Sequence, residues 1–252
     1  MHTYKAVIAY DGSAFSGFAL QKHKKSVLGA LQEGLGRVGI SGEILGASRT
    51  DKGVHSTGQV ISFKSSHLHR YESAFLLSLL NAKLYPHIMI RSLKRVPHHF
   101  HPRFDAKWRA YRFLLSPTFP PPFASSYVTH QKIGDMARFI AALHCFKGEH
   151  NFLYFKKNGS FTQSNVRTIF DIKYYRYKSI DVVYVRGNGF LRSQVRLMVG
   201  AALSVSRGEM SMQHLQEQLL AQKQHYAYPI SPQGLYLCGV GYDELCSHSL
   251  GL

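Results

Sequence analysis

The heptapeptide Arg49-Thr50-Asp51-Lys52-Gly53-Val54-His55 puts a guanidinium, a carboxylate and an imidazole into one Gly-containing stretch. A polar loop on a rigid scaffold is the usual place for catalytic groups. A carboxylate there can attack a carbon centre or take a proton. Taken singly, these residues also have plainer readings: Asp51 as a capping group or a partner of Arg49, and His55 as a satisfied structural histidine. A second stretch runs from Gly187 to Gly200, with Gly187-Asn188-Gly189 followed by Arg192 and Arg196. It reads as a turn entering a helix. Arginines four apart share one helix face, and a helix N-terminus beside them makes an anion site. The plainer alternative is a basic, solvated face. In Pro97-His98-His99-Phe100-His101-Pro102-Arg103-Phe104-Asp105, three histidines fall within four residues. Their spacing matches no helix- or strand-based ligand pair, and the prolines make the segment irregular. Contact with RNA or with neighbouring turns is the stronger reading than a metal.

The elements that must position these groups follow from periodicity. Thr3 to Tyr10 reads as a strand ending at the turn signal Asp11-Gly12. Ser26 is an N-cap, and Val27, Leu28, Leu31, Leu35 and Val38 follow at helical spacing. Glu43 to Ala47 and Gln59 to Phe63 read as strands, with Ser48 to Gly58 as the connection that carries Asp51. Tyr71 to Leu80 is a helix, and His87 to Val96 and Trp108 to Leu115 are strands. Four prolines, at 117, 120, 121 and 122, then mark a linker or lid. Beyond them come a helix at Asp135 to Phe146, strands at Arg167 to Tyr177 and Asp181 to Arg186, and helices at Phe190 to Val205 and Ser211 to Gln222. Gly234 to Gly241 is a final strand. Strands and helices mix without strict βαβ order, and no repeat of fixed period is visible. The fold class expected is therefore α+β with a mixed, mainly antiparallel sheet.

Composition narrows the partner. The 252 residues carry 31 Lys+Arg against 14 Asp+Glu, a formal net charge of +17, and the sequence pI is about 9.9. An apolar content of 45% is enough for a packed core, so the charge belongs to a folded chain and points to a polyanion. Cations alternate with rings, as in Phe104 to Phe113, which suits a nucleic-acid groove with stacking platforms. A membrane surface is the weaker alternative, because the basic residues are spread along the chain. No apolar run is long enough for a membrane helix, and Met1 to Tyr10 lacks the pattern of a secretion signal. Cys145, Cys238 and Cys246 form neither a CxxC nor an even set, so free thiols in a reducing cytoplasm are expected.

In order and nearly end to end, the chain resembles the bacterial TruA-type tRNA pseudouridine synthases. The blocks that carry the resemblance are Tyr10 to Phe18, Arg49 to His55 with Gly58-Gln59-Val60, and Phe100 to Ala106 with Arg109 to Arg112. Further blocks are Gly148 to Phe152, Val166 to Ile169, Gly187 to Gly200, and the ending Ser231 to Leu237. The resemblance implies two similar subdomains around a central basic cleft, here 1–116 and 117–252, with flanking helices. It implies isomerisation of uridine to pseudouridine at positions 38, 39 and 40 of the tRNA anticodon stem-loop, by a cytoplasmic homodimer without metal or organic cofactor. It makes Asp51 the catalytic nucleophile or base, Arg49 the group that displaces the base, Tyr111 the platform for the uracil, and Arg196 the partner of Asp51. Lys94, Arg95, Arg103, Lys156 and Lys157, with Lys64, are candidate phosphate contacts.

The residue types fit that chemistry. The N1–C1′ bond breaks, the uracil turns, and C5 bonds C1′, so atoms are conserved. A carboxylate can attack C1′ as in retaining glycosidases, or deprotonate C2′. Either route needs it ionised, which a neighbouring cation favours. Taking the base out of the stack costs a few kcal/mol. The chain departs from the family pattern at Phe18-Ala19, Ser48, Lys52, Phe113 and Tyr85, none of which removes a catalytic type. An RNA-binding protein without catalysis and a nucleic-acid glycosylase are the alternative functions.

Overall fold

The structure is a computed structural model that describes residues 1–66, 68–157, 159 and 162–242; Cys246 lies outside the described residues. Ten strands form one mixed sheet. Its spine runs β4-β1-β3-β10-β5-β9-β8-β7, with β2 on β3 and β6 on β5. The chain order is β1 (His2–Tyr10), α1 (Val27–Gly36), β2 (Leu45–Gly46), β3 (His55–Ser65), α2 (Ser73–Leu84), β4 (Ile88–Val96) and β5 (Trp108–Ser116). Then come β6 (Thr129–His130), α3 (Met136–His144), β7 (Gly148–Asn151), β8 (Val166–Tyr177), β9 (Ile180–Gly187), α4 (Gln194–Ser206), α5 (Met212–Leu219) and β10 (Leu235–Gly241). All pairs are antiparallel except β10 with β3 and β5 with β6. This is the expected α+β class. No helix among the described residues is long and apolar enough to cross a membrane.

Two cores lie along the sheet. β1, β3 and β4 pack Ala6, Ile8, Ile61 and Ile90 against Leu31 and Leu35 of α1 and Leu80 of α2. β5, β8, β9 and β10 pack Phe113, Ile172, Val183 and Leu237 against Phe139 of α3, Met198 of α4 and Leu215 of α5. β10 is the seam between them. It pairs Tyr236 with His55 on β3 and Leu237 with Tyr111 on β5, so the last strand in sequence joins the two halves beside the segment that carries Asp51.

Most boundaries follow the local signals. Ser26 is extended and accepts from the Gly29 N–H at 3.1 Å; Asp135 and Ser211 cap α3 and α5 in the same way. Three expectations change by four residues, the first being the helix expected to end at Leu80, which runs on to Leu84. The strand expected at Gln59 starts at His55, which shortens the connection around Asp51. The helix expected from Phe190 starts at Gln194, because Ser193 has a φ of 59° and breaks the helical path.

Candidate active site

The segment before β3 is fixed at both ends. The buried Gln59 amide accepts from the Ser48 N–H at 3.2 Å and donates to the Ser48 carbonyl at 2.8 Å. The Tyr10 hydroxyl and Thr50 Oγ1 are 2.7 Å apart, and the Phe18 N–H donates to the Thr50 carbonyl. The Val54 N–H then closes a tight turn on the Asp51 carbonyl at 3.2 Å. Gly53 sits in that turn at φ 78°, where a side chain would be strained. Gly12 touches it from the side: a Cβ there would stand 2.1 Å from the Val54 carbonyl oxygen.

His55 fastens the turn to two other segments. Its Nδ1 accepts from the Gly12 N–H at 3.0 Å. Its Nε2 stands 2.8 Å from the Ser126 carbonyl, so Nε2 carries the proton and donates. The ring is buried and stacks on Tyr236 at 4.7 Å. Tyr127 lies beside it and donates from its hydroxyl to Asp11 Oδ2 at 2.9 Å. The stretch that follows the prolines thus rests on the turn of Asp51, and His55 has the satisfied role of a structural histidine.

The Asp51 carboxylate faces the segment from Gly187 to Gly200. Ser193 Oγ donates to Oδ2 at 2.7 Å. Arg196 NH1 is 3.6 Å from Oδ2 and Arg192 Nε is 3.8 Å from Oδ1. The anion that these arginines face is the chain's own aspartate. Arg196 is aimed by a second contact, Nε to the Ile230 carbonyl at 2.7 Å. Burial lowers the Arg196 guanidinium from its ordinary value, and the charge of Asp51 opposes that shift. Asp51 keeps 25% of its side chain exposed, against 14% for Arg196, so an approaching ligand can reach the carboxylate past a cation that is mostly buried.

Tyr111, on β5, completes the group. Its ring is buried and meets Phe190 edge-on at 5.1 Å. Burial pushes its phenol up to about 12; the Ser48 hydroxyl pulls it back, and the Asp51 charge adds to the rise. Arg109 ties the parts together from below. NH1 donates to the carbonyls of Ala106 at 2.9 Å and Asn188 at 3.0 Å. NH2 donates to Ala47 at 3.5 Å and also to Arg103. One buried guanidinium therefore links the root of the Asp51 segment to the Gly187–Gly189 turn.

Asp51, Tyr111 and Arg196 are brought together, and Arg49 stands exposed two residues from Asp51. Lys156 donates to Asn165 Oδ1 at 2.8 Å, and the Lys157 N–H donates to the Arg192 carbonyl, which brings both near the site. Arg103 is exposed on the turn that Arg109 holds. Lys94 and Arg95 are elsewhere. Arg95 pairs with Tyr4 on β1, and six residues of strand, about 20 Å, separate Tyr4 from Tyr10 beside Thr50. His101 caps its own turn, its Nδ1 accepting from the N–H groups of Arg103 and Phe104. Sequence reasoning did not single out Ser193 or Arg109. Both fall inside blocks that carry the resemblance, but their roles come from contacts across the chain.

The chain can be set against known proteins. The family described as tRNA pseudouridine synthase matches residues 6–105 and 142–243. A protein of Helicobacter hepaticus named tRNA pseudouridine synthase A is 67% identical over 247 residues, covering 96% of this chain and 100% of that one. The proteins of the same name from Wolinella succinogenes and Campylobacter jejuni subsp. doylei are 43% and 38% identical, over 97% and 96% of this chain and 96% and 100% of their own lengths. With the family match running through the Asp51 segment and α4, the chain belongs to the tRNA pseudouridine synthase family, and its reaction is an isomerisation.

Proposed function

We propose that the chain converts uridine to pseudouridine at positions 38, 39 and 40 of the tRNA anticodon stem-loop, with Asp51 as the nucleophile or base. The observation that carries this reading is the environment of Asp51. A part-exposed carboxylate faces two arginines and a serine hydroxyl, and its charge reaches the buried Tyr111. The two arginines stand 3.6 and 3.8 Å from Asp51, and both attack at C1′ and deprotonation at C2′ require the carboxylate as an anion. The Tyr111 phenol stays neutral, so its ring face can hold the detached uracil without repelling its oxygens; such stacking contributes about 1–3 kcal/mol. Holding the uracil matters because its loss leaves an abasic site. In the balanced reaction N1–C1′ breaks and C5–C1′ forms, C5 gives its proton to solvent, and N1 ends with one.

In this reading Arg49, exposed at the mouth of the site, enters the stack in place of the extracted base. Residues 1–116 and 117–252 act as two subdomains around the stem-loop, with β5 of the first built into the core of the second through β9, and the enzyme works as a cytoplasmic homodimer. Lys156, Lys157 and Arg103 contact phosphates near the site, and Lys94 and Arg95 contact more distant ones.

The test is tritium release from tRNA labelled at uracil C5, with wild type and Asp51→Ala side by side and tRNA binding measured for both. Release by wild type alone, with affinities within a few fold, is expected. Release by the variant would remove Asp51 from the chemistry. Binding without release by either protein would favour an RNA-binding role, and free uracil would favour a glycosylase.

A further inference from the structure

His214 and Glu217 stand three residues apart on α5 and so share one face of it. The segment after the helix brings His225 onto the same face. One ligating atom from each of the three lies within 4.8 Å of the others. His225 Nε2 is 2.7 Å from Glu217 Oε2, and the His214 and His225 rings stack at 4.2 Å with only 10° between their planes. None of these residues belongs to the elements that carry Asp51, Tyr111 or Arg196.

The arrangement is held from outside the trio. Gln218 is fully buried and uses its whole amide to bind the chain that carries His225. Its Oε1 accepts from the N–H groups of His225 at 2.8 Å and Tyr226 at 2.7 Å. Its Nε2 donates to the carbonyls of Tyr226 at 2.9 Å and Tyr154 at 3.1 Å. The His225 backbone is therefore locked to α5 whatever its ring does. Gln213 Nε2 donates to Glu217 Oε1 at 3.1 Å, which leaves Oε2 turned to the histidines. Outer hydrogen bonds of this kind fix the orientation of metal ligands.

We propose that His214, Glu217 and His225 form a binding site for one divalent transition ion of borderline softness, represented by Zn2+. Two imidazoles and a carboxylate are the donor set such ions take, whereas Mg2+ and Ca2+ prefer oxygen alone. Neighbouring ligands of a tetrahedral Zn2+ stand about 3.3 Å apart, as follows from bonds of about 2.0–2.2 Å. Glu217 and His225 already meet more closely than that. The remaining gap closes by rotation of the exposed His214 side chain. The ion takes the place of the proton between Glu217 and His225, and water fills the fourth position. Bound there, it clips α5 to the stretch leading to Tyr226, which lies against Gly200 of α4.

The experiment is calorimetric titration of tag-free, chelator-stripped protein with ZnCl2, with thermal melting and Co2+ absorption alongside. One ion per chain is expected. Glu217→Gln and His214→Asn, both on the outer face of the helix, should weaken its affinity about tenfold or more. Zn2+ in hundredfold excess over the wild-type Kd should raise the wild-type melting temperature by about 5 °C or more and that of the variants by about half as much or less. Co2+ should show the visible bands of a four-coordinate ion, and Mg2+ should do nothing. Equal Zn2+ binding by wild type and both variants would assign the ion to another cluster, such as His98, His99 and His101, and overturn the proposal. The absence of wild-type binding at about 100 μM Zn2+, far weaker than structural zinc sites, would overturn it equally.

Discussion

The Ser193 hydroxyl donates to Asp51 Oδ2 at 2.7 Å from a residue held at φ 59°. Serine at the residue before a helix ordinarily accepts from a helix amide. Here the side chain makes no such cap, and its hydrogen goes to a carboxylate 142 residues away in sequence. The left-handed backbone costs about 1–2 kcal/mol for a residue with a Cβ. The fold therefore gives up a cap and accepts strain at the point where α4 meets Asp51. A donor in that position fixes one carboxylate oxygen and leaves Oδ1 turned toward the half-exposed Arg192.

Three substitutions at Ser193 separate its hydrogen bond from its backbone. Ser193→Ala should lower kcat about tenfold with little change in tRNA affinity, since hydrogen bonds to charged groups contribute about 1.5–3 kcal/mol and both arginines remain. Ser193→Gly should lose the same factor yet melt about 2–4 °C higher than Ser193→Ala, because both lack the hydrogen bond and glycine alone relieves the left-handed strain. Ser193→Thr should keep most of kcat and melt lower, because a β-branched residue fits that conformation poorly. Wild-type kcat in both the alanine and glycine variants would show that the contact does not act in catalysis.

The two arginines should rank unequally. Arg196 is largely buried and bound also to the Ile230 carbonyl. Arg196→Ala should cost about 2–3 kcal/mol of transition-state stabilisation, or roughly 30- to 150-fold in kcat. Arg192 is 47% exposed and 3.8 Å from the carboxylate. Its replacement should cost about 1 kcal/mol or less, and less still at high salt. Single-turnover rates at two ionic strengths measure both, and a larger loss at Arg192 than at Arg196 would reverse the assignment.

Tyr111 gives a prediction with a definite sign. Burial raises its phenol from an ordinary 10.0 to about 12. The folded value lies above the unfolded one, so the unfolded chain loses this proton first as pH rises. Stability from this group is complete below about pH 10 and lost as pH climbs toward 12. Tyr111→Phe should remove one late-ionising tyrosine from the tyrosinate absorbance titration and flatten the alkaline fall in stability. If the ring acts by stacking, that variant should keep activity within a few fold, while Tyr111→Leu should lose about 1–3 kcal/mol. Loss of activity in Tyr111→Phe equal to that in Tyr111→Leu would assign the function to the hydroxyl.

Local chemistry made part of this legible before any fold was drawn. Ser26 announced α1 because a cap and its helix lie within four residues. Asp11-Gly12 announced the end of β1 because turn residues punctuate a strand locally. The start of α4 was not legible: Phe190 to Val205 has helical periodicity throughout, and what stops the helix at Gln194 is the conformation of Ser193, which bonds to a distant carboxylate. The position of β10 was equally hidden. Gly234 to Gly241 reads as a strand, but its pairing with both His55 and Tyr111 depends on residues far away in the chain. Asp51 itself was singled out by its segment and Arg192 by its place in an anion site, whereas Ser193, and the pairing of both with Asp51, emerge only when the segments are brought together.

Arg109 shows how much of the site rests on a residue with no chemistry of its own. Its guanidinium is buried, with burial lowering it from its ordinary value, and its donors go to the main-chain carbonyls of Ala47, Arg103, Ala106 and Asn188. Only a planar fork reaches several such acceptors at once, and a lysine ammonium cannot span them. Arg109→Lys should therefore destabilise the protein nearly as much as Arg109→Met. Each buried carbonyl left without a donor costs about 1–3 kcal/mol, and some regain water. A total near 3 kcal/mol corresponds to a fall of roughly 6–12 °C in Tm. Because Ala47 precedes the Asp51 segment and Asn188 precedes Arg192, kcat should fall as well, even at temperatures where the variants remain folded. Melting curves and single-turnover rates on the same preparations decide it. A lysine variant that melts and turns over like wild type would mean that charge at this position, rather than the fork, holds the two halves of the site in register.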